Sequence, residues 1–334
     1  RNRLYHLMWT LLSQFLNKGE TQMTNVLSNE TLLKQMNAIL KAGNNVTLRE
    51  DNARAFFLDA VATAGTIGKL FVHFAKSGTG SLDKLGVKKR TLKKHLGINT
   101  EDTGTDIKEE DTVPFSLVPV YLDTWIENSN TFYTARTRGQ DVRQALLSLM
   151  QAQYAADLQD LAFNGDESSP DPFVKLNDGY IKMAKASAEV KVEGAKLPTI
   201  QELTAATARI EPKYLRQGTF KFFMSQATAT NYVVELQNRN TALGDAVLVD
   251  GALRNIGGFG VEVVESMENN VILFTPYENL AVVSGLTVTL TTAAQDSRAV
   301  AKQATYHFML DDIDFIIREP KALAYFGIDA TPEG

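Results

Sequence analysis

The chain has 334 residues, 44 % hydrophobic and 22 % charged, a globular balance that excludes wholesale disorder and suits one large domain or two medium ones. A net charge of −5 argues against a surface dedicated to gripping nucleic acid, which draws its affinity from basic excess. With no cysteine and four scattered histidines (His6, His73, His95, His307), a disulfide framework, a thiolate metal site and thiol catalysis are excluded, and little remains for histidine chemistry.

No run reaches the roughly 20 apolar residues that a membrane-spanning helix needs. Near the start, Leu4, Met8, Leu11, Leu12 and Phe15 share one face at helical spacing, which predicts a short amphipathic docking helix. Residues 24–75 predict further helices. One is capped at Ser28 or Asn29 and stopped at Gly43, and a second helical region runs from Asp51 to Phe74. From Ser77 to Gly97 the pattern dissolves into Gly, Ser and Lys. A charge split follows: Lys84, Lys88, Lys89, Arg90, Lys93 and Lys94 give +6, then Glu101, Asp102, Asp106, Glu109, Glu110 and Asp111 against Lys108 give −5.

A polar segment of this length cannot bury enough surface to sit in a core, so it is expected to project as a two-armed loop. Charge alone favours a solvated loop over an arm meeting complementary surfaces on a neighbouring copy. A nucleic-acid role for KLGVKKRTLKKH is weaker still, because the acidic half cancels its field within a Debye length (~8–10 Å) and no aromatic residue offers a stacking platform.

Val113 to Ile126 alternates as a strand. Gly139 to Phe163 then carries the strongest helical signal in the chain. Val142, Leu146, Met150, Tyr154, Leu158 and Leu161 fall on one face, Leu147 and Leu149 widen the stripe, and Arg143, Gln144, Gln151, Asp157 and Asp160 mark the wetter side. Such a helix is about 35–40 Å long and needs something long to lie across, for which a sheet is the natural partner. Its expected stop is Asn164-Gly165, with Gly165 in the left-handed conformation.

Residues 166–200 predict a loop, a short helix and a Lys/Glu-rich hairpin, and Thr199 to Ile210 predicts an amphipathic helix. From Thr219 strands dominate: TFKFFM, FGVEVVES after Gly257-Gly258, NVILFT, LAVVS, LTVTLTT and TYHFMLDDIDFIIRE. Leu286, Val288 and Leu290 alternate with Thr287, Thr289 and Thr291, the pattern of a strand with one wet face. Helices early and strands late indicate an α+β fold rather than a doubly wound parallel sheet.

Catalytic motifs are nearly absent. Around Gly68-Lys69 the phosphate-loop pattern fails, with Leu70 following the lysine and Thr63 in place of the first glycine, while Gly78 and Gly80 lack a third glycine. Neither a G-x-S-x-G elbow nor an H-E-x-x-H pair occurs. Asp311, Asp312 and Asp314 cluster in a strand-like segment without an EF-hand glycine, so charge keeping a strand edge or turn soluble is the better reading than cation binding. His307 is expected to be structural and His95 solvated.

Taken in order, the sequence shows a helical arm, a charged loop, strands and a long helix ending in AFNGDESSPDPFVKLNDG. Then come a mixed region, the block NIGGFGVEVVESMENNVILFTPYENLAVVSG, and a strand pair closing at Glu319-Pro320-Lys321-Ala322. This order resembles the major capsid proteins of tailed bacteriophages, which share the Hong Kong 97 fold. The pieces carrying the resemblance are Asn164-Gly165-Asp166, then Val261, Val263 and Ser266, then Ile272, Leu273, Asn279 and Leu280. Gly260 stands where the family has proline.

The resemblance implies a helical N-terminal arm (1–81) and an extended loop (82–114). It implies a peripheral domain (113–170 and 283–327) containing a spine helix (139–165), and an axial domain (171–282). Lys88, Lys89, Arg90, Lys93, Lys94, Glu101, Asp102, Glu109 and Glu110 would then make inter-subunit contacts from the extended loop, and the charge split acquires a purpose. Val142, Leu146, Met150, Tyr154, Leu158 and Leu161 would line the spine.

The implied function is that of a non-enzymatic shell subunit. It would self-assemble as pentamers and hexamers into the icosahedral head of a virion, enclosing double-stranded DNA without reading its sequence. Assembly would occur in the host bacterial cytoplasm with portal, scaffolding and decoration proteins, and without catalytic, cofactor-binding or metal-binding residues. Some family members cross-link a loop lysine to a peripheral asparagine with the help of a buried glutamate. Here the acceptor position falls near Lys302 or Gln303 and no Glu lies between Ala294 and Ile317, so non-covalent contacts are expected. The alternatives are an encapsulin-type compartment with protein cargo, and a soluble α+β hydrolase, against which the missing nucleophile motif weighs.

Overall fold

The structure, a computed structural model, describes residues 46–47, 50–63, 65–84, 112–127, 142–215, 219–237, 253–293 and 296–328. Strand β1 (Val46–Thr47) and helix α1 (Glu50–Thr63) precede β2 (Phe71–Ala75), β3 (Thr79–Asp83), β4 (Thr112–Ser116) and β5 (Val118–Glu127). Next come α2 (Val142–Asn164), α3 (Tyr180–Ser187), β6 (Val190–Gly194), α4 (Ile200–Thr207), β7 (Phe220–Met224) and α5 (Gln226–Gln237). The remainder is β8 (Asn255–Ile256), β9 (Phe259–Val263), β10 (Val271–Pro276), β11 (Leu280–Gly285), β12 (Thr289–Ala293), α6 (Ser297–Lys302), β13 (Ala304–Ile317) and β14 (Ala324–Ile328). The fold is α+β.

Several elements depart from the sequence reading. The helix expected from Asp51 to Phe74 ends at Thr63, and Phe71–Ala75 is strand because Val72 and Phe74 enter a sheet, where β-branched and aromatic residues pack well. The Lys/Glu-rich segment is no hairpin; β6 pairs in parallel with β14, more than a hundred residues away. Helices α5 and α6 lie between the strands of the region from Thr219 onward, where strands are expected to dominate.

The chain divides into two compact units: residues 1–60, 121–152 and 286–311, and residues 61–120, 153–285 and 312–334. In the second unit, one sheet runs in the order β6-β14-β10-β7-β9-β8. Its central strand β10 is buried on both faces, which is why VILFTP is apolar without alternation. Phe222, Phe220 and Phe259 surround Phe274 with ring centroids 4.4, 4.9 and 5.0 Å away, inside the favourable range for aromatic pairs. Helix α4 is started by a capping box in which the Thr199 hydroxyl accepts from the Glu202 N–H, while the Glu202 carboxylate accepts from the Thr199 N–H at 2.7 Å. Gly257 and Gly258, at φ 58° and 89°, form the two-residue turn joining β8 to β9, where a left-handed pair matches the twist of the strands.

In the same unit, residues 313–317 of β13 pair with β11, and β11 pairs in parallel with β2. In the first unit, residues 306–310 of β13 pair with β12, β12 pairs with β1, and β5 also pairs with β13. There Met309 and Leu290 face inward, opposite each other in register, while Tyr306, Phe308 and Thr291 are half-buried on the other face. Asp311, Asp312 and Asp314 thus occupy an interior strand, not an edge or turn, and Asp311 is 1 % exposed.

Candidate functional site

The charged segment lies in the chain between β3 and β4, which pair as a two-stranded ribbon in which Thr79 faces Ser116 and Asp83 faces Thr112. The ribbon alternates so that Leu82 and Phe115 turn inward and join Ala75, Ala281, Val283 and Ile316 in a small apolar cluster. Gly80 is required because the Phe115 ring lies over it; a Cβ there would come within 2.5 Å of Phe115 Cζ. At the ribbon's base Leu117 N–H donates to the Gly78 carbonyl at 2.7 Å.

Two charged side chains from the end of β13 and the residue after it reach the ribbon. The Asp314 carboxylate accepts from the Ser116 N–H at 2.8 Å, from the Asn177 side-chain amide at 3.2 Å and from the Phe315 N–H at 2.8 Å. Burial pushes its carboxyl above the usual carboxylate range, and those three donors work against the rise. Arg318 donates from Nε and Nη2 to the Asp83 carbonyl at 3.2 and 3.0 Å and from Nη1 to the Glu278 carbonyl at 3.3 Å; its guanidinium lies 4.4 Å from the Phe71 ring centroid. A cavity of about 480 Å³ adjoins the ribbon, with Lys84, Pro114, Met183, Asp314, Ile316 and Pro320 among its lining residues.

The end of α2 is held by the residues that carried the family resemblance. The Asn164 side chain donates to the carbonyl of Ser266 and to Asp160, and accepts from the Glu268 N–H at 2.9 Å. Gly165 is not left-handed as expected. Its need for glycine comes from close approach instead: a Cβ would meet the Leu161 carbonyl at 2.6 Å and also collide with the Asn177 carbonyl, while Gly179 N–H donates to Gly165 O at 2.8 Å. Lys182 bridges Asp166 and Asp178, each at 2.7 Å, and with Ser168 holds the Asp166 carboxyl down to about 2. Further on, Asn279, fully buried, donates to Thr275 Oγ1 at 2.9 Å and to the Glu319 carbonyl at 3.0 Å, and accepts from the Glu319 N–H at 2.7 Å. Asparagine is the residue that can donate and accept across such a corner.

Of the proposed spine residues, Met150, Tyr154, Leu158 and Leu161 are buried, between 2 % and 6 % exposed; Val142 and Leu146 lie in α2, but their side chains fall outside the described residues. Leu149, read as widening the stripe, is 65 % exposed, and Gln151, read as wet, is buried. The helix buries Gln159 too, whose side-chain carbonyl accepts from the Thr66 N–H at 3.2 Å. Lys88, Lys89, Arg90, Lys93, Lys94, His95, Glu101, Asp102, Glu109 and Glu110 all lie outside the described residues. Among the described residues, no group of three His, Asp or Glu is placed to hold a metal ion, and no helix is long and apolar enough to cross a membrane.

Sequence reasoning passed over an aromatic face in the first unit. Tyr121 and Trp125 stand four residues apart on one face of β5 and pack on Phe308 and Tyr306, centroids 5.5 and 4.9 Å apart; Lys302 Nζ sits 4.5 Å from the Trp125 ring centroid. The Tyr306 hydroxyl donates to Asp123 at 3.3 Å. The signal was present as alternation in VYLDTWIE, where every second residue is more exposed.

No protein-family model matches the sequence. Among curated proteins, the putative prophage capsid protein YqbE of Bacillus subtilis (strain 168) is 26 % identical over 192 residues. The match takes in 57 % of this chain and 60 % of that protein, so the chain spans less than two thirds of its relative's length. Among solved structures, a chain of the satellite phage P4 procapsid that includes the size determination protein superposes with a TM-score of 0.66 at 15 % identity, covering 91 % of this chain and 98 % of that one. The chain has the phage capsid fold of the Hong Kong 97 type. A chain of the capsid of an empty GTA particle (TM-score 0.53, 11 % identity, 80 % of this chain and 90 % of that one) and one from Microbacterium phage Oxtober96 (0.52, 12 %, 80 % and 91 %) agree with it. The resemblance drawn from Asn164-Gly165-Asp166 and from the β9–β11 block is therefore sound, and within this fold those residues are the corners that join α2 to β9 and β11 to the end of β13.

Proposed function

We propose that the chain is a major capsid protein: a structural, non-enzymatic subunit that self-assembles into the icosahedral head of a tailed bacteriophage around double-stranded DNA. The observation that carries this reading is a capsid fold extending over nine tenths of the chain, in a protein that is 26 % identical to a curated putative prophage capsid protein over 192 residues. In this reading 82–114 is the extended loop, 139–165 the spine, 171–282 the axial domain, 113–170 with 283–327 the peripheral domain, and 1–81 the N-terminal arm. The charged loop residues Lys88, Lys89, Arg90, Lys93, Lys94, Glu101, Asp102, Glu109 and Glu110 meet complementary charges on neighbouring copies. Each exposed pair is worth only ~0–1 kcal/mol, but a closed shell repeats it over every subunit. Copies of the chain are the principal partners, with portal, scaffolding and decoration proteins around them, and the particle forms in the bacterial cytoplasm.

Deleting Lys88 to Glu110 tests this. The expected product is a folded subunit that remains small in light scattering under conditions where the full chain gives megadalton particles. Intact shells from the deleted chain would refute the loop's role. Particles filled with another protein rather than DNA would favour a cargo compartment.

A further inference from the structure

We infer that Asp314 and Arg318 form a two-point clamp that sets the direction of the β3–β4 ribbon, between whose strands the charged segment lies in the chain, and through it the uniformity of the assembled shell. The second half of this inference rests on the capsid reading; the first half stands on the subunit alone.

Asp314 and Arg318 are four residues apart, one within β13 and one just beyond it. Their targets lie at opposite ends of the ribbon: Ser116, paired with Thr79 at the base, and Asp83, paired with Thr112 at the far end. Four strand residues span about 13 Å. One anchor alone would leave the ribbon a pivot. Two anchors about 13 Å apart, each with roughly half an ångström of play, restrict its direction to within about 5°.

Chemistry matches each end. At the base the group held is a backbone N–H, from which the Asp314 carboxylate accepts; at the far end it is a carbonyl, to which the Arg318 guanidinium donates. Each anchor is itself braced. Asp314 also accepts from Asn177 and from its own strand at Phe315. Arg318 grips the Glu278 carbonyl, rests on Phe71, and its N–H donates to the Asn279 carbonyl at 2.9 Å. Charge-assisted bonds of this sort are roughly twice as strong as neutral ones. The apolar cluster beneath the ribbon supplies adhesion but little direction, because hydrophobic contact is not directional.

The test uses the full chain with two conservative variants. Asp314→Asn keeps the volume but turns an amide donor or loses an acceptor at Ser116. Arg318→Lys keeps the charge but offers one nitrogen for two carbonyls that Arg318 reaches with separate nitrogens. In unassembled subunits, hydrogen exchange of peptides covering 79–84 and 112–117 should quicken at least ten-fold in each variant and further in the pair, with exchange in β7, β10 and β14 and the melting temperature unchanged. Unaltered exchange in the ribbon peptides would overturn the clamp. Under conditions where the wild-type chain forms shells, the double variant should at least double the spread of particle diameters in electron micrographs. Faster exchange with wild-type shells would overturn the link to shell uniformity. A wild-type chain that forms no shells refutes the capsid reading and that link together, while the exchange result still decides the clamp.

Discussion

The sheet built on β10 and the face built on β5 use the same strand chemistry to opposite ends. In the second unit, every residue of β10 is buried and the rings around Phe274 leave no wet side. In the first unit, β5 alternates along its whole length, and Tyr121 is 67 % exposed although it stacks on Phe308. One region is finished within the subunit, and the other keeps aromatic surface in contact with water. The cost of a substitution should therefore differ sharply between them, since truncation cost follows burial and the cavity left behind.

The largest effect is expected at the closed sheet. Phe274→Ala should remove about 3–5 kcal/mol from the subunit's stability in urea unfolding, because three neighbouring rings lose their common partner. A loss below about 1 kcal/mol would mean that the rings are not packed as described.

Next is His307, buried on the inner face of β13, whose imidazole burial pushes down to about 4. An unfolded histidine titrates near 6.5, so the unfolded chain binds the extra proton first as pH falls. Stability is then full above about pH 6.5 and declines as pH drops toward 4, by up to about 3 kcal/mol from this group. His307→Gln should flatten that part of the profile, and a profile identical to wild type would refute the assignment.

Gly165→Ala should cost about 2 kcal/mol or more, because Cβ would collide with the carbonyls of Leu161 and Asn177 where neither can retreat without breaking the turn after α2. Thermal melting of the purified subunit checks it. At the other extreme, Tyr121→Ser should change the unassembled subunit's stability by less than about 1 kcal/mol, since this ring is already 67 % exposed. A loss near that of Phe274→Ala would erase the contrast between the two regions.

How far the fold was legible follows from how local each signal is. The periodicity of Val142 to Leu161 marks a helix by itself, and the structure places it at Val142–Asn164. Threonine alternation between Leu286 and Thr291 likewise marks the wet and dry sides of a strand. Pairings between distant segments were not legible. Nothing in VKVEG says that it will lie parallel to AYFGI, and without that pairing a hairpin was the natural expectation. Helix α5 was missed because QATATNYVVELQ is rich in β-branched residues, whose propensity the surrounding sheet overrides.

The faces of α2 were read partly wrong for a related reason. Gln151 looks wet by composition yet is buried, and Gln159, assigned to neither face, is buried where its carbonyl accepts from the Thr66 N–H. Of the candidate site, the capsid-like corners were visible as Asn164, Gly165 and Asn279. Their function as hydrogen-bonded joints was not, because Asn164 reaches Ser266 and Glu268 across more than 100 residues and Asn279 reaches Glu319 across 40. The pairing of Asp314 with Ser116 and of Arg318 with Asp83 was invisible for the same reason, at separations of about 200 residues or more.

The most direct measurement is an electron micrograph of the purified full chain after assembly. Closed, regular icosahedral particles are the predicted result. A monodisperse small oligomer that never assembles, under any ionic strength or concentration tried, would contradict the account.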